Sequence, residues 1–218
     1  MTWALKRFSL TKNVPLAISR GTTSAVVRLE LSVECDGFCG RGETGGFETG
    51  HRCYGTETVE QELRNVLPRL NRLDSLLPQR MDPLLQTLSP PARCAVDLAR
   101  WDWWGQNLGQ PLWRLWGLDG QREVATSVTL GLGAVPAVLE RLKRWWKQLP
   151  ATRIKLKLGS PEGLDHDRSL VEAVASAVEA RRQSSGGPVE LQVDANGGWS
   201  LEQARSMLQT LDRFGVVL

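Results

Sequence analysis

No run of eighteen apolar residues occurs anywhere in the 218-residue sequence, so no segment reads as a membrane-spanning helix. The opening residues, Met1 to Phe8, contain no apolar stretch of signal-peptide length, and a cytoplasmic location is the expectation. An excess of one charge is also missing. Lys and Arg total 27 against 24 Asp and Glu, leaving +3, spread too thinly for the basic footprint of a nucleic-acid binder. Histidine is scarce, with only His51 and His166, and Cys35, Cys39, Cys53 and Cys94 lack the paired spacing of a zinc site. Reduced thiols are expected instead. What is abundant is tryptophan: nine in all, with Trp101, Trp103, Trp104, Trp113 and Trp116 inside sixteen residues. Such a cluster is read as packing, or as an interface, rather than as a cofactor box.

The pattern divides the chain near residue 122. Within residues 1–122, apolar Val27, Leu29, Leu31 and Val33 alternate with Arg28, Glu30 and Ser32, which predicts a half-buried strand. Asp36-Gly37 supplies a turn and Phe38 to Glu43 a returning strand. The glycine-rich stretch 40–55 reads as a mobile loop. Thr58 stands three residues before Gln61, a capping-box spacing that starts a helix there. Pro90-Pro91 opens another, in which Arg93 and Asp97 are spaced for a surface ion pair.

Within residues 123–218, strand and helix alternate. Strands are expected at 124–130, 152–158 and 189–195, and helices at 134–148, from about 164 to 182, and from a Ser200 cap with Gln203 three residues on. This alternation implies a parallel sheet with crossover helices. Two of the strands carry charge where a doubly wound sheet would be apolar on both faces. Lys155 and Lys157 share one face and Ile154, Leu156 and Leu158 the other. Gln192 and Asp194 likewise oppose Leu191 and Val193. A lone Lys-x-Lys strand is commonly a solvated edge. Two successive strands of this kind fit a (β/α) barrel better, since its outer face is apolar and its inner face holds the active site.

Lys155-Leu156-Lys157 followed by Asp194-Ala195-Asn196-Gly197-Gly198-Trp199 resembles the enolase superfamily in its muconate-lactonizing branch. The stretch from Pro91 to Asp102, with Gly109-Gln110-Pro111-Leu112 after it, is similar to the capping-domain helix of that branch. Pro15 to Thr22 resembles the mobile substrate loop of its dipeptide epimerases. The resemblance implies an α+β capping domain (1–122) followed by the first three βα units of an incomplete (β/α) TIM-type barrel (123–218). It also implies proton abstraction next to a carboxylate, with Mg2+ stabilising the developing charge. Carried over by position, Lys157 would be the acid/base and Lys155 its partner, which also holds the substrate carboxylate. Asp194 would be a metal ligand, Asn196 would orient the metal shell, and Thr129 and Arg20 would contact a dipeptide. An o-succinylbenzoate synthase or a muconate cycloisomerase would use the same residues.

Residues 123 to 218 number ninety-six, whereas a whole barrel takes about 250. In the family the later strands supply two further metal-binding carboxylates and an opposing lysine. The chain is therefore expected to be C-terminally truncated and inactive alone. It would either act with a barrel-completing chain or persist as a non-catalytic fragment associated with an intact partner, with homo-oligomerisation a further expectation.

Overall fold

The computed structural model describes residues 1–48, 51–122, 125–185 and 187–216. Contacts divide the chain into two compact units, Met1–Thr11 with Ala25–Glu123, and Lys12–Ser24 with Val124–Leu218. Sequence order alone assigns all of 1–122 to one domain, but the segment Lys12–Ser24 groups with the second unit.

Strands β1 (Thr2–Ile18), β2 (Gly21–Cys35) and β3 (Phe38–Thr44) form one sheet in that order, and all of it outside Lys12–Ser24 belongs to the first unit. The alternation in β2 is realised: Leu29, Leu31 and Val33 are wholly buried. At the turn, Asp36 and Gly37 both take positive φ, 50° and 81°, as a tight hairpin demands, and β2 pairs antiparallel with β3 from Cys35↔Phe38 to Leu29↔Thr44.

The expected glycine-rich loop is the main departure. Its beginning is strand β3, and its later stretch contains the short antiparallel pair β4 (Phe47–Glu48) and β5 (Cys53–Tyr54). Thr49 and Gly50 lie outside the described residues. The glycines are there for proximity, not slack. A Cβ on Gly40 would stand 2.1 Å from the Ala99 carbonyl oxygen, and one on Gly42 would stand 2.0 Å from that of Ala95. Helix α3 (Pro90–Leu108) lies directly on this strand through its buried Ala92, Ala95 and Ala99.

The prolines open α3 as expected, but two local expectations fail. Helix α1 (Thr56–Leu70) begins before Thr58, with Gly55 at the cap and no side-chain capping bond. The Thr56 hydroxyl instead accepts from the Gly46 N–H at 3.0 Å, which ties the helix start to the preceding chain. Arg93 does not pair with Asp97. Its Nε donates to the Leu85 carbonyl, and Asp97 takes buried Arg100 at 2.5 Å. A further helix, α2 (Pro78–Leu85), has no counterpart in the sequence reading, and a short α4 (Leu112–Leu115) follows α3. Trp103 is buried and donates to the Cys35 carbonyl, while Trp101 meets Trp116 edge-on. All four cysteines are free thiols.

In the second unit, β6 (Val128–Leu130), β7 (Arg153–Lys157) and β8 (Glu190–Asp194) form a parallel sheet in that order, with α5 (Val135–Gln148), α6 (Leu164–Ser185) and α7 (Leu201–Arg213) between and after them. Strand β6 is shorter than expected: Val124 lies outside the described residues, and 125–127 are irregular. Gly186, Val217 and Leu218 are likewise outside them. One sheet face is apolar throughout. Val128, Leu130, Ile154, Leu156 and Leu191 pack with Val138 and Leu142 of α5, Leu170, Val171 and Val174 of α6, and Met207 of α7. The Ser200–Gln203 capping box forms reciprocally at the start of α7. Among the described residues, no helix is long and apolar enough to cross a membrane.

Candidate active site

Parallel pairing brings the polar residues of three strands to one face. Thr129 pairs with Lys155 and Lys155 with Gln192, while one step toward the C-terminal ends Lys157 pairs with Asp194. At the other end of the face Arg153 pairs with Glu190 at 2.8 Å. Because side chains on neighbouring paired residues point the same way, Lys155, Lys157 and Asp194 share one face as the sequence pattern anticipates, and the register places Thr129 on it beside Lys155.

The convergence has a definite geometry. The ammonium groups of Lys155 and Lys157 both lie 2.8 Å from the same oxygen, Asp194 Oδ2. The other oxygen, Oδ1, accepts the Asn196 N–H at 2.9 Å. Lys157 is the more enclosed lysine, with 10% of its side chain exposed against 34% for Lys155. Partial burial works against ionisation of Asp194, but the hydrogen bonds from Lys155, Lys157 and the Asn196 amide outweigh it and hold its carboxyl well below the usual carboxylate range.

The segment resembling a mobile loop is instead the end of a hairpin: β1 runs to Ile18, β2 starts at Gly21, and Ser19-Arg20 make the turn. Both turn residues reach the β8 exit. Ser19 Oγ and an Arg20 guanidinium nitrogen donate to the Asn196 carbonyl at 3.1 and 2.7 Å. Asn196 itself has φ of 51° and carries a buried Oδ1 with no hydrogen-bond partner. Below Ser19 the chain segments after β7 and β8 touch. A Cβ on Gly159, at φ +80°, would meet the Ala195 carbonyl at 2.7 Å, and one on Gly198 would meet the Gly159 Cα at 2.9 Å. Only glycine permits that approach.

Sequence reasoning missed Asp167, which is 1% exposed. It sits in the first turn of α6, where an acidic residue reads as an ordinary helix-start preference. Its carboxylate accepts from the Gly159 and Ser160 amides at 2.9 and 3.2 Å and from the Trp199 indole at 2.7 Å. Thr129 additionally lines a cavity of about 510 Å³ with Lys12, Asn13, Leu16, Arg141 and Trp145.

The donor set sets the terms for a metal. Asp194 offers carboxylate oxygen, which suits magnesium, but its Oδ2 is engaged by two ammonium groups. Among the described residues no group of three or more His, Cys, Asp or Glu gathers to complete a shell. The residues present therefore fit one ligand of a magnesium shell rather than the whole of it.

Residues 137–218 match the family model described as enolase C-terminal domain-like. Across 97% of its length the chain is 35% identical to a hydrophobic dipeptide epimerase of Flavobacteria bacterium strain MS024-2A, covering 58% of that protein. The substrate-liganded L-Ala-D/L-Glu epimerase from Bacillus subtilis matches in structure with a TM-score of 0.83 at 21% identity, over 100% of this chain and 60% of that one. The dipeptide epimerase from Enterococcus faecalis V583, complexed with Mg and L-Leu-L-Tyr, matches with a TM-score of 0.79 at 22% identity, over 99% and 58%. The chain thus spans little more than half the length of these relatives, and at such identities the two solved structures speak for the fold. Residues 137–218 thus resemble an enolase C-terminal-like domain, and the chain as a whole is similar to dipeptide epimerases.

Proposed function

We propose that this chain contributes one face of a dipeptide epimerase site, with Lys157 as the acid/base toward the substrate α-carbon. The observation that carries the reading is the shared contact of Lys155 and Lys157 with Asp194 Oδ2, 2.8 Å each, on the polar face of a parallel sheet. Proton abstraction next to a carboxylate needs a base held close, and positive charge where the negative charge develops. Lys157 is enclosed and aimed along the face, and Lys155, one pair behind it, suits the substrate carboxylate. Thr129 stands in the same row, and Arg20 lies at the β8 exit, where each can contact a dipeptide.

In the structure Lys157 donates a hydrogen bond to Asp194 Oδ2 at 2.8 Å. Asp194 would hold a magnesium ion as one of several ligands, with Asn196 orienting that edge. Magnesium, when bound, supplies the positive charge that a carboxylate gains need of as its α-proton leaves. An epimerase also needs a proton donor on the opposite face of the substrate. The reading therefore includes a barrel-completing chain segment, inactivity of the 218 residues alone and a cytoplasmic setting.

The test follows α-hydrogen exchange by NMR in D2O with Mg2+, using L-Ala-L-Glu and L-Leu-L-Tyr beside a cyclohexadiene carboxylate. The 218-residue chain alone should exchange nothing. Co-expressed with the C-terminal half of a dipeptide epimerase, it should exchange the dipeptides and lose that exchange in Lys157→Ala. Robust turnover by the chain alone removes the claim of inactivity. A complemented protein that processes only the cyclohexadiene acid favours the o-succinylbenzoate synthase reading.

A further inference from the structure

Asp167 is set apart by where its partners lie. An acidic residue in the first turn of a helix ordinarily serves that helix, through its free N–H groups or its dipole. None of the three donors to the Asp167 carboxylate belongs to α6. Two are the consecutive amides of Gly159 and Ser160, which follow Lys157 by two and three residues. The third is the indole of Trp199, five residues beyond Asp194. A single buried side chain thus ties the exit of β7 to the exit of β8, and each exit carries one half of the Lys157–Asp194 contact. The surroundings leave little play in this arrangement. The Leu158 N–H donates to the Asp194 carbonyl at 3.0 Å. Gly159 and Gly198 stand at backbone contact, with the Ser19 Cβ closing over both.

We propose that Asp167 is a positioning residue that sets the separation of Lys157 and Asp194 by latching the two strand exits together. This rests on the reading of that pair as the working groups of the site. A carboxylate is the right latch because its two oxygens accept three N–H bonds at once. An amide of the same shape turns one acceptor into a donor and faces at least one N–H with another. Without the latch, the exits keep the Leu158–Asp194 hydrogen bond and the glycine contact but lose the buried side chain that joins them, and the Lys157–Asp194 separation is less closely fixed.

The proposal is tested on the 218-residue chain itself, by NMR of 15N-labelled lysine. In the parent chain the Lys157 ammonium, bonded to Asp194, should give a slowly exchanging signal. In Asp167→Asn that signal should be lost to exchange while the protein stays folded. Val174→Ala, a cavity variant two turns along α6 from Asp167, serves as the control and should lower Tm while keeping the signal. Should Asp167→Asn fail to fold, Trp199→Phe decides. It removes one N–H donor and should accelerate ammonium exchange measurably. A folded Asp167→Asn, or in its place Trp199→Phe, with the parent signal overturns the proposal. So does loss of the signal in Val174→Ala, which would make it a reporter of stability alone. None of these readouts depends on dipeptide turnover, so failure here and failure of the epimerase assay are separable.

Discussion

The two units bury a sheet against helices by opposite means. In the first, α3 meets β3 through alanine and glycine, so backbone lies almost on backbone and nothing projects between them. In the second, large aliphatic residues of β6, β7 and β8 interleave with those of α5, α6 and α7. The first interface gains closeness and leaves no room for an added atom. The second gains depth on one face of the sheet, which frees the opposite face for charged groups that a doubly covered sheet could not hold. The site follows from the second solution.

The contrast is sharpest at a pair of substitutions with equal expected cost and opposite causes. Gly42→Ala adds one carbon where backbone already stands 2.0 Å away. Ile154→Ala removes carbons from a fully buried position. Each should cost about 3 kcal/mol or more in urea unfolding, the first by overpacking and the second by leaving a cavity. If Gly42→Ala is neutral, the close approach of α3 is wrong.

Next in size is the charged face. Asp194→Asn leaves the enclosed Lys157 ammonium without its anion and should cost about 2 kcal/mol at neutral pH. The pH dependence has a definite sign. Because the folded Asp194 carboxyl is held below its ordinary value, its contribution is fully present above about pH 5 and is lost as acid brings the pH below about 4 toward the depressed folded value. The stability gap between parent and Asp194→Asn should therefore be flat at neutral pH and shrink on acidification. A gap that grows in acid would contradict the assignment.

Smaller effects separate local from tertiary contributions within the second unit. Ser200→Ala removes the capping hydroxyl of α7 and should lower stability by about 1 kcal/mol, read by thermal unfolding. Arg153→Ala breaks a half-exposed pair with Glu190 on the same sheet face as the lysines and should cost only about 0.5 kcal/mol. A cost as large as that of Asp194→Asn would mean the whole polar face is enclosed, not just its C-terminal end.

Much of the second unit is legible in the sequence because its signals are local. Strict alternation at 153–158 and 190–195 assigns each side chain to a face, and a shared face across two parallel strands brings Lys157 and Asp194 into register. The Ser200 cap depends on four consecutive residues and forms as expected. Thr58 does not start its helix because Gly46 claims Thr56 through space, which moves the helix start upstream. Arg93 and Asp97 have the right spacing but better partners, Leu85 and Arg100, elsewhere in the packed unit.

The amino-acid sequence by itself determined the strand–helix alternation from residue 128 onward, the segregation of charge to one sheet face and the meeting of two lysines with one aspartate, because these depend on periodicity and register. Only the tertiary structure decided that glycines 40 and 42 are a helix seat and not a loop, that Ser19 and Arg20 close over the β8 exit, and that Asp167 binds both strand exits. Those features depend on which distant backbone arrives within a few ångströms. A glycine carries no side chain to announce a neighbour, and a buried carboxylate in a first helical turn looks in sequence like any other.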